Sequence, residues 1–307
     1  MVDAIATTGS FAGAARQLGK VPSALTYAVR QLEEALDVLL FDRSSRQARL
    51  TAAGRELLDE GRRLLAQLDA VANRVKRVAT GWETTLVIAY DEAVCRPTLL
   101  DLCADFYAVR DIEGDGPPPT RLAIRAEVLA GTWEAVLLGR ADLAIGVVAD
   151  REPPPDIGLA ELGALPFVFV VAPHHPLAGA TEPIGDAELV RHRAIAIADT
   201  ATRLAPLTVH LLPGQDVLTV GDLQTKIEAL LRGIGAGFVP APAAAPWLAE
   251  GRLVRKRVAR AEGGATAQLA YAWRQPLRDG RPQPSGRALA WWLARLAHAT
   301  TRRAMLA

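Results

Sequence analysis

Polar and basic side chains occupy the first fifty residues at spacings that suit contact with a nucleic acid. A helix is predicted to begin at Pro22, because proline is favoured in the first turn of a helix. Its apolar stripe consists of Leu25, Val29, Leu32 and Leu36. The face opposite this stripe carries Ser23, Thr26, Tyr27 and Arg30. Such side chains can hydrogen-bond the edges of bases in a major groove, although on a helix taken alone they would indicate only a solvated surface.

The segments on either side of that helix favour the nucleic-acid interpretation. Ser10 is expected to cap a short preceding helix by accepting a hydrogen bond from an amide of its first turn. After the helix, residues 39–41 and 48–50 are expected to pair as two short strands. The turn between them is basic and carries Arg43 and Arg46, with Arg49 just beyond it. A hairpin of this kind holds guanidinium groups where the phosphates of a duplex run, so the sequence predicts a helix-turn-helix with a basic wing.

Five short motifs in this region resemble, in order and spacing, those of the LysR-type transcriptional regulators. They are Gly-Ser-Phe at 9–11, Ala-Ala-Arg-Gln-Leu at 14–18, Arg-Gln-Leu-Glu-Glu at 30–34, Leu-Phe-Asp-Arg at 40–43 and Leu-Thr-Ala-Ala-Gly at 50–54. The resemblance implies a winged helix-turn-helix at residues 1–52. By the same resemblance, the DNA-facing positions are Ser10, Pro22, Ser23, Thr26, Tyr27 and Arg30, and those on or beside the phosphate-contacting wing are Arg43, Arg46, Arg49 and Thr51.

The chain departs from the family pattern at three places. Tyr27 stands where many members have arginine, and Asp37 stands where most have glycine. Only residues 1–7 precede the Gly-Ser-Phe turn. At about 3.6 residues per helical turn, the first helix is therefore about two turns shorter than is usual in the family. We expect that residues upstream, if they are encoded, would raise DNA-binding activity.

Composition narrows the class of protein. The chain has 307 residues, half of them hydrophobic, which is enough for two or three domains. Its formal charge of +1 gives no general attraction to nucleic acid, so any DNA affinity must come from a local cluster of arginines. Cys95 and Cys103 are the only cysteines, and on a helix they would lie two turns apart, so no disulfide is expected. With no leader segment and no apolar run of membrane length, the expected location is the cytoplasm, without membrane association.

A long helix is expected to follow the wing, because residues 52–80 contain no proline and only two glycines. Apolar residues recur there with heptad spacing at Leu57, Leu64, Leu68, Val71, Val75 and Val78. We assign residues 53–81 as a linker that pairs two subunits in a coiled coil, and Gly61 should weaken the pairing locally. The alternative is a long helix packed on its own domain.

Beyond residue 81 short apolar runs alternate with amphipathic segments, which is typical of an α/β domain. Strands are predicted at 86–89, 122–127, 143–148, 167–172, 194–198, 217–220, 236–239 and 269–273. Helices are predicted at 97–107, 132–138, 222–231, 243–250 and 285–299. Loops rich in proline and glycine are expected at 113–119 and 151–156, the second near a hinge.

This region also resembles the effector-binding half of the LysR-type regulators, which is similar to periplasmic binding proteins. The motifs are Leu-Leu-Gly-Arg-Ala-Asp-Leu-Ala-Ile at 137–145, Ala-Pro-His-His-Pro-Leu-Ala at 172–178 and Gly-Ile-Gly-Ala-Gly-Phe-Val-Pro at 233–240. The resemblance implies an effector-binding domain at 82–307 with two α/β lobes. Lobe I would comprise about 82–160 and 264–307, and lobe II about 161–263.

A ligand cleft is expected where loops follow the carboxyl ends of strands. On the first lobe the candidates, chosen by this rule and by family position, are Asp91, Glu92, Ala93, Thr132, Gly146 and Val147. On the second lobe they are Asp199, Thr200, Thr202, Gly221 and Asp222. Two neighbouring carboxylates would repel an anion, so Asp91 and Glu92 favour a neutral or amine-bearing ligand. Equally, they would cap the helix near Arg96 and Pro97 without meeting any ligand.

Motifs for catalysis or cofactor binding do not emerge from the sequence. The glycines at 233–237 follow a predicted helix and precede a strand, which is the reverse of the order in a dinucleotide-binding turn. The adjacent His174 and His175 have no partner at a metal-binding spacing, and a turn is the better interpretation. We therefore expect no enzyme activity, no cofactor and no bound metal.

The combined interpretation is a ligand-responsive transcriptional regulator. Its expected partners are double-stranded DNA carrying an interrupted palindrome, a small-molecule effector, one or three further copies of the chain, and RNA polymerase if the protein is an activator. The alternative is a small-molecule binding protein with a vestigial DNA-binding segment. An enzyme is a third possibility.

Overall fold

The structure is a computed structural model of the full chain. It describes residues 1–42, 48–110, 117–149, 152–205, 207, 209–261, 265–275, 277–282 and 286–307. Within these ranges the side chains of 66, 69, 70, 72–78, 278 and 282 are not described. The chain divides into two compact units, Met1–Val71 and Ala72–Ala307. The division falls inside a single long helix, whereas the sequence placed its domain boundaries at residues 52 and 81.

The N-terminal unit is built from helices and one short hairpin. Its elements are α1 (Val2–Thr8), α2 (Phe11–Gln17), α3 (Pro22–Leu36), β1 (Phe41–Asp42), β2 (Arg49–Leu50) and the first part of α4 (Ala52–Thr80). Strands β1 and β2 pair in antiparallel fashion, as the sequence predicted. The core of this unit contains Ile5, Ala14, Ala15, Leu25, Val29, Leu40 and Phe41. These small and branched side chains hold three short helices and the hairpin together.

Helix α3 buries a different stripe from the predicted one. Leu25 and Val29 are buried and Leu32 is partly buried, but Leu36 is 46 % exposed. Glu33 takes the next buried position instead. Its Oε1 accepts hydrogen bonds from the backbone N–H groups of Leu40 (2.8 Å) and Phe41 (3.3 Å). These hydrogen bonds hold the start of the hairpin against α3. They also stabilise the buried carboxylate, because hydrogen bonds to a charged acceptor are strong.

Two backbone positions allow the chain to turn around α3. Asp37 ends the helix in the left-handed region (φ 52°), which explains why a glycine would suit this position. Gly54, in the first turn of α4, lies against the hairpin so closely that a Cβ there would come within 2.1 Å of the Leu40 carbonyl oxygen. Only glycine fits at that contact.

The C-terminal unit is an α/β domain. Its strands are β3 (Thr85–Asp91), β4 (Arg121–Glu127), β5 (Leu143–Val148), β6 (Ile157–Val171), β7 (Ala194–Ile197), β8 (Val217–Val220), β9 (Gly237–Pro240), β10 (Val254–Lys256), β11 (Ala265–Arg274), β12 (Leu277–Arg278) and β13 (Arg281–Pro282). Its helices are α5 (Arg96–Ala108), α6 (Ala130–Leu137), α7 (Asp186–Leu189), α8 (Leu223–Leu231), α9 (Ala241–Ala249), α10 (Arg287–Ala297) and α11 (Ala299–Met305). Two short 3-10 turns lie at Pro176–Gly179 and Ala259–Ala261.

One seven-stranded sheet runs through this unit in the order β10-β6-β11-β5-β3-β4, with β9 also paired to β6. The strands β4, β3 and β5 are mutually parallel, and their carboxyl ends meet at one edge. The long strands β6 and β11 pair from Ala265 opposite Phe167 to Arg274 opposite Ile157, and their register shifts between Leu269 and Ala270. They join two cores, which we call lobe I (around β3, β4, β5, α5, α6 and α10) and lobe II (around β7, β8, β9, α8 and α9).

Most predicted strands and helices are present, and the differences have local causes. The prediction for β6 began ten residues late, because Gly163 and Pro166 interrupt its apolar pattern although both lie within the strand. The helix predicted at 285–299 is two helices, since His298 has extended backbone (φ −73°, ψ 129°) between α10 and α11. Strands β10, β12 and β13 and helix α7 span four residues or fewer, too short to give a periodic signal.

Candidate nucleic-acid interface and ligand cavity

The polar face predicted for α3 is exposed. Ser23, Thr26, Tyr27 and Arg30 all point away from the buried side of the helix. The Thr26 hydroxyl donates to the Pro22 carbonyl oxygen (3.0 Å), and the Tyr27 hydroxyl accepts from the Gln31 side-chain amide (2.9 Å). The Arg30 guanidinium lies 3.6 Å from the Glu34 carboxylate, and both side chains are about two-thirds exposed. Exposed ion pairs are weak, so this guanidinium remains free to take another acceptor.

Ser10 and Pro22 have local structural roles. The Ser10 side chain accepts a hydrogen bond from the Gly13 N–H (3.0 Å) and caps α2, as predicted. Pro22 occupies the first turn of α3, also as predicted, and it is exposed. Both residues lie at helix starts, where backbone N–H groups are left without partners inside the helix.

The wing is described only in part. Arg43 and Arg46 lie outside the described residues. Arg49, on β2, is exposed and lies opposite Asp42 of β1 in the register of the hairpin. Thr51 donates its hydroxyl to the Leu39 carbonyl oxygen (2.6 Å) and accepts from the Gly54 N–H (3.0 Å), so it ties the hairpin to the start of α4.

The proposed dimerisation stripe on α4 divides into two parts. Leu57 packs partly against the core of the N-terminal unit. Leu64, Leu68 and Val71 are 57, 64 and 44 % exposed, and the neighbouring Leu65 is 63 % exposed. The side chains of Val75 and Val78 lie outside the described residues. A helix that exposes a row of leucines lacks the partner surface that an amphipathic helix normally has.

A cavity of about 720 Å³ lies between the two lobes of the C-terminal unit. Lobe I contributes residues that follow β3 and precede α6, and lobe II contributes β7, β9 and the segment that follows β7. The aromatic lining residues are Phe167, Phe169, His210 and Phe238. The charged lining residues are Asp91, Glu92, Asp199, Lys226 and Arg260. Of the eleven residues proposed for the effector, Asp91, Glu92, Ala93 and Asp199 line this cavity.

Asp91 connects the end of β3 to the start of α6. Its carboxylate accepts hydrogen bonds from the N–H groups of Ala93 (2.9 Å) and Leu129 (2.8 Å) and from the Thr132 hydroxyl (3.3 Å). Burial raises the pKa of Asp91 to about 6, against the effect of these donors. Leu129, which precedes α6, has a positive φ of 53°, so the backbone at this edge of the cavity is strained.

The other two lining carboxylates also accept backbone hydrogen bonds. Glu92 accepts from the Leu223 N–H at the start of α8 (2.6 Å) and so connects the two lobes. Asp199 accepts from Ala130 (3.2 Å) and Gly131 (3.1 Å) at the start of α6, and from Ala201 (2.8 Å) and Leu207 (2.7 Å) in its own loop. Neither Asp91 nor Glu92 caps α5, whose cap is Cys95. The sequence left open whether they meet ligand or cap that helix, and the structure shows that they do not cap it and that both line the cavity.

Seven proposed effector residues lie outside the cavity lining. Thr132 is fully buried in α6, and Val147 is fully buried in the core of lobe I. Gly146 (φ +91°) packs so tightly that a Cβ would lie 2.9 Å from both Asp91 Cβ and Val94 Cγ1. Asp222 caps α8 by accepting from the Thr225 N–H (2.6 Å), and Gly221 precedes it on the surface.

Thr200 and Thr202 bind lobe I rather than facing the cavity. Thr200 donates its hydroxyl to Glu127 (2.5 Å) and accepts from the Val128 N–H (3.0 Å). Thr202 donates its N–H (2.9 Å) and its hydroxyl (2.8 Å) to Glu134. Burial alone would raise the pKa of Glu134, but the donors in residues 202–204 together lower it.

Sequence analysis missed the cationic part of the cavity. Lys226 lies one turn into α8 and lines the cavity, and burial lowers its pKa to about 8. Burial and the positive charges of Arg260 and Lys226 lower the pKa of His210. Lys226 stood in the predicted helix at 222–231, but helical periodicity could not tell which face would meet a cavity formed by distant strands.

In the part of the chain that the structure describes, no helix is long and apolar enough to cross a membrane. Among those residues, no group of three or more histidine, cysteine, aspartate and glutamate side chains could hold a metal ion. His175 lies in a turn, as predicted, where its Nδ1 accepts from the Leu177 N–H (3.2 Å).

Comparison with known proteins assigns both halves of the chain. Residues 1–55 match the family model described as "Bacterial regulatory helix-turn-helix protein, lysR family". Residues 79–299 match the model described as "LysR substrate binding domain". The unmatched stretch between them lies within α4.

Relatives are similar along nearly the whole chain. The chain is 40% identical over 293 residues to the probable HTH-type transcriptional regulator YhaJ of Escherichia coli, covering 95% of this chain and 92% of that protein. It is 32% identical over 250 residues to the HTH-type transcriptional activator AllS of Klebsiella pneumoniae, covering 81% and 90%.

Solved structures share the fold. The full-length regulator CbnR in complex with its target DNA has a TM-score of 0.57 at 19% identity, covering 99% of this chain and 97% of that chain. A full-length AphB variant has a TM-score of 0.54 at 15% identity, covering 97% and 96%. With its helix-turn-helix, its two-lobed α/β unit and both family matches, the chain belongs to the LysR family and is a DNA-binding transcriptional regulator with an effector-binding domain.

Proposed function

We propose that the protein binds an interrupted palindromic operator as a dimer or tetramer and changes its operator binding when a small molecule occupies the cavity between the lobes. The exposed polar face of α3 is the observation that carries this proposal. Its base-contacting side chains would be Ser23, Thr26, Tyr27 and Arg30. Ser10 and Pro22, at helix starts, would also face the DNA. Phosphates would be contacted by Arg49 and Thr51 together with Arg43 and Arg46 of the wing. Phosphate contacts set affinity and register, whereas base contacts set sequence preference.

The apolar stripe of α4 supports assembly of more than one chain. Leu64, Leu65 and Leu68 are each more than half exposed, and they lie on a helix of 29 residues. A second copy of the same helix would cover them in a coiled coil. Pairing of two DNA-binding units then matches the two-fold symmetry of a palindromic site and fixes the spacing of its halves.

The cavity supports ligand sensing. A volume of about 720 Å³ falls within the range that small-molecule sites occupy, and its lining is mostly apolar with a few charged groups. A ligand can shift the regulator between two arrangements only if it binds one of them more tightly. The lobes enclose the cavity jointly, so a change in their relative placement would change the affinity for the ligand. If the protein is an activator, RNA polymerase is a further partner.

The DNA-binding site is tested by measuring operator binding as a function of salt. Genomic fragments retained by the purified full-length chain supply the operator, and a mobility shift at increasing salt gives the slope of log affinity against log salt. Each lost phosphate contact should flatten that slope by about one unit. We expect this result for Arg43→Ala and for Arg49→Ala.

The matched control is Arg191→Ala, which removes an exposed arginine of the effector-binding domain. Its slope should equal that of the unchanged protein. A full-length chain that retains no genomic fragment at low salt would contradict the operator assignment. It would favour a small-molecule binding protein whose DNA-binding segment is vestigial.

A further inference from the structure

We propose that the cavity between the lobes takes an amphipathic monoanion, with an apolar body against Phe167, Phe169 and Phe238 and its carboxylate on Lys226. The proposal rests on the proposed function, since it specifies the ligand class of the same cavity. It differs from the neutral or amine-bearing ligand that Asp91 and Glu92 favoured at the level of sequence. The physical reason lies in which charged groups already have partners.

The carboxylates of the cavity are already supplied with donors. Asp91 accepts two backbone N–H groups and a hydroxyl, and Asp199 accepts four backbone N–H groups. Glu92 accepts the Leu223 N–H at the start of a helix, where the helix dipole favours negative charge. A ligand amine would compete with these donors for the same oxygens. Glu92 and Asp199 therefore hold the lobes together, and Asp91 holds the end of β3 to the start of α6.

Lys226 is in the opposite situation. Among the residues that the structure describes, none offers an acceptor within hydrogen-bonding distance of its ammonium group. Its side chain runs over Gly237, where a Cβ would lie 3.7 Å from Nζ, and it lines the cavity. A partly desolvated ammonium without an acceptor is costly, and a ligand anion would recover that cost. With a pKa of about 8 the amine is mostly protonated at neutral pH.

Neighbouring groups strengthen the preference for an anion. Arg260 lines the cavity, and its only ion-pair partner among the described residues is Asp186, at 3.9 Å and half exposed. His210 is close enough for the charges of Arg260 and Lys226 to lower its pKa. Three groups that can carry positive charge thus lie on the lobe II side, and one anion placed there would reduce their mutual repulsion.

The rest of the lining suits an apolar body. The rings of Phe169 and Phe238 meet edge to face with centroids 5.3 Å apart. The His210 ring lies over Phe238 with centroids 4.3 Å apart. Aromatic walls of this kind favour a flat apolar or aromatic group, because edge and face contacts add to the burial of surface. The cavity therefore joins an aromatic region to a cationic end.

The test compares three ligands that share one apolar body. Phenylpropanoate, its neutral amide and phenylpropylamine are titrated into the full-length chain by calorimetry at neutral pH. We expect the acid to bind at least about tenfold more tightly than the amide, as a charge-assisted hydrogen bond to Lys226 implies. The amine should bind no more tightly than the amide.

Variants then locate the anion. Lys226→Met should lower the affinity for the acid to that for the amide and leave amide binding unchanged. Lys226→Arg should retain most of the affinity for the acid. Lys20→Met, which alters an exposed lysine of the N-terminal unit, is the matched control and should change nothing. Because Lys226→Met removes a desolvated charge, its melting temperature should not fall.

Three results would overturn the inference: tighter binding of the amine than of the acid, acid binding that Lys226→Met does not weaken, or no binding of the acid. The comparison of the three ligands on the unchanged protein decides the matter even if a variant fails to fold. Operator binding by the same preparation separates the two proposals. If the protein still binds its operator and responds to another small molecule, the proposed function stands and only the ligand class is wrong.

Discussion

Thr202 donates both its backbone N–H and its hydroxyl to the carboxylate of Glu134, at 2.9 and 2.8 Å. Glu134 lies in α6 of lobe I and is 1 % exposed, whereas Thr202 belongs to the segment that follows β7 in lobe II. Arg203 (2.7 Å) and Leu204 (2.9 Å) donate their N–H groups to the same carboxylate. One buried carboxylate therefore accepts hydrogen bonds from three consecutive residues of the opposite lobe and joins the two lobes.

Replacement of Glu134 by glutamine should destabilise the effector-binding domain. The amide of Gln keeps one oxygen for the backbone N–H groups of residues 202–204, but its NH2 group would meet the Arg140 guanidinium, which loses this acceptor, and the hydrogen bonds lose the help of the negative charge. We expect a loss of about 1–3 kcal/mol in the free energy of unfolding, measured by denaturant titration. Glu161→Gln, at an exposed position of β6, is the matched control and should change stability by less than about 0.5 kcal/mol. Equal stability of the two variants would contradict the role assigned to Glu134.

Asp91 should make the stability of the effector-binding domain depend on pH in the acidic range. Burial raises its pKa from 3.8 to about 6, so between these values the folded state holds a proton that the unfolded state has lost. The contribution of Asp91 to stability should therefore be highest below about pH 4, fall as the pH rises to about 6 and stay level above it. The fall should be no more than about 3 kcal/mol, at about 1.36 kcal/mol per pKa unit.

The measurement is the difference in unfolding free energy between the unchanged protein and Asp91→Asn across this pH range. Subtracting the variant removes the contribution of other titrating groups. Asp101→Asn, at an exposed position of α5, should show no such pH-dependent difference. A difference that stays constant, or that rises with pH, would show that Asp91 titrates at an ordinary or lowered pKa.

Glu33 and Glu34 are adjacent in sequence but should behave differently. Glu33→Ala leaves the buried N–H groups of Leu40 and Phe41 without their acceptor and should cost about 1–3 kcal/mol in the stability of the N-terminal unit. Loss of this contact should also weaken operator binding, because it positions the start of the wing. Glu34→Ala removes only an exposed partner of Arg30 and should change stability by less than about 1 kcal/mol. Similar costs for both variants would mean that the hairpin is held elsewhere.

Two glycines of α4 give opposite expectations for the same substitution. Gly54→Ala places a Cβ 2.1 Å from the Leu40 carbonyl oxygen, so backbone must move and the N-terminal unit should lose stability. Gly61→Ala meets nothing within 4 Å and should stabilise the helix by about 0.5–1 kcal/mol. Thermal unfolding of both variants checks the pair. A stabilising Gly54→Ala would show that the hairpin does not pack on α4 in this way.

Leu68→Glu should lower the tendency of the chain to dimerise. The leucine is 64 % exposed in a single chain, and a charge buried in a coiled-coil seam is strongly unfavourable. Sedimentation should then show a shift from dimer or tetramer toward monomer at micromolar concentration. Gln67→Glu, a neighbouring exposed position outside the heptad stripe, should leave the assembly unchanged. An unchanged assembly for Leu68→Glu would place the subunit contact outside this stripe.

The sequence by itself determined the local elements and the family. Periodic apolar residues marked Leu25 and Val29 as the inner face of α3, and capping chemistry marked Ser10 and Pro22 as helix starts. These signals are reliable because they depend on residues within one or two helical turns of each other. The order of five motifs then sufficed to predict the winged helix-turn-helix, and three further motifs beyond residue 136 predicted the two-lobed domain; the family matches support both.

Only the tertiary structure decided which charged groups have partners. Asp91 and Glu92 looked like free carboxylates in sequence, but α6 and α8 bring backbone donors to them from 38 and 131 residues away. Glu33 and Glu134 gave no signal in the sequence, yet both are buried where another segment supplies N–H groups. Lys226 has no acceptor among the described residues for the same reason. Hydrogen bonding and desolvation are set by neighbours distant along the chain, and no local pattern records which neighbours those will be.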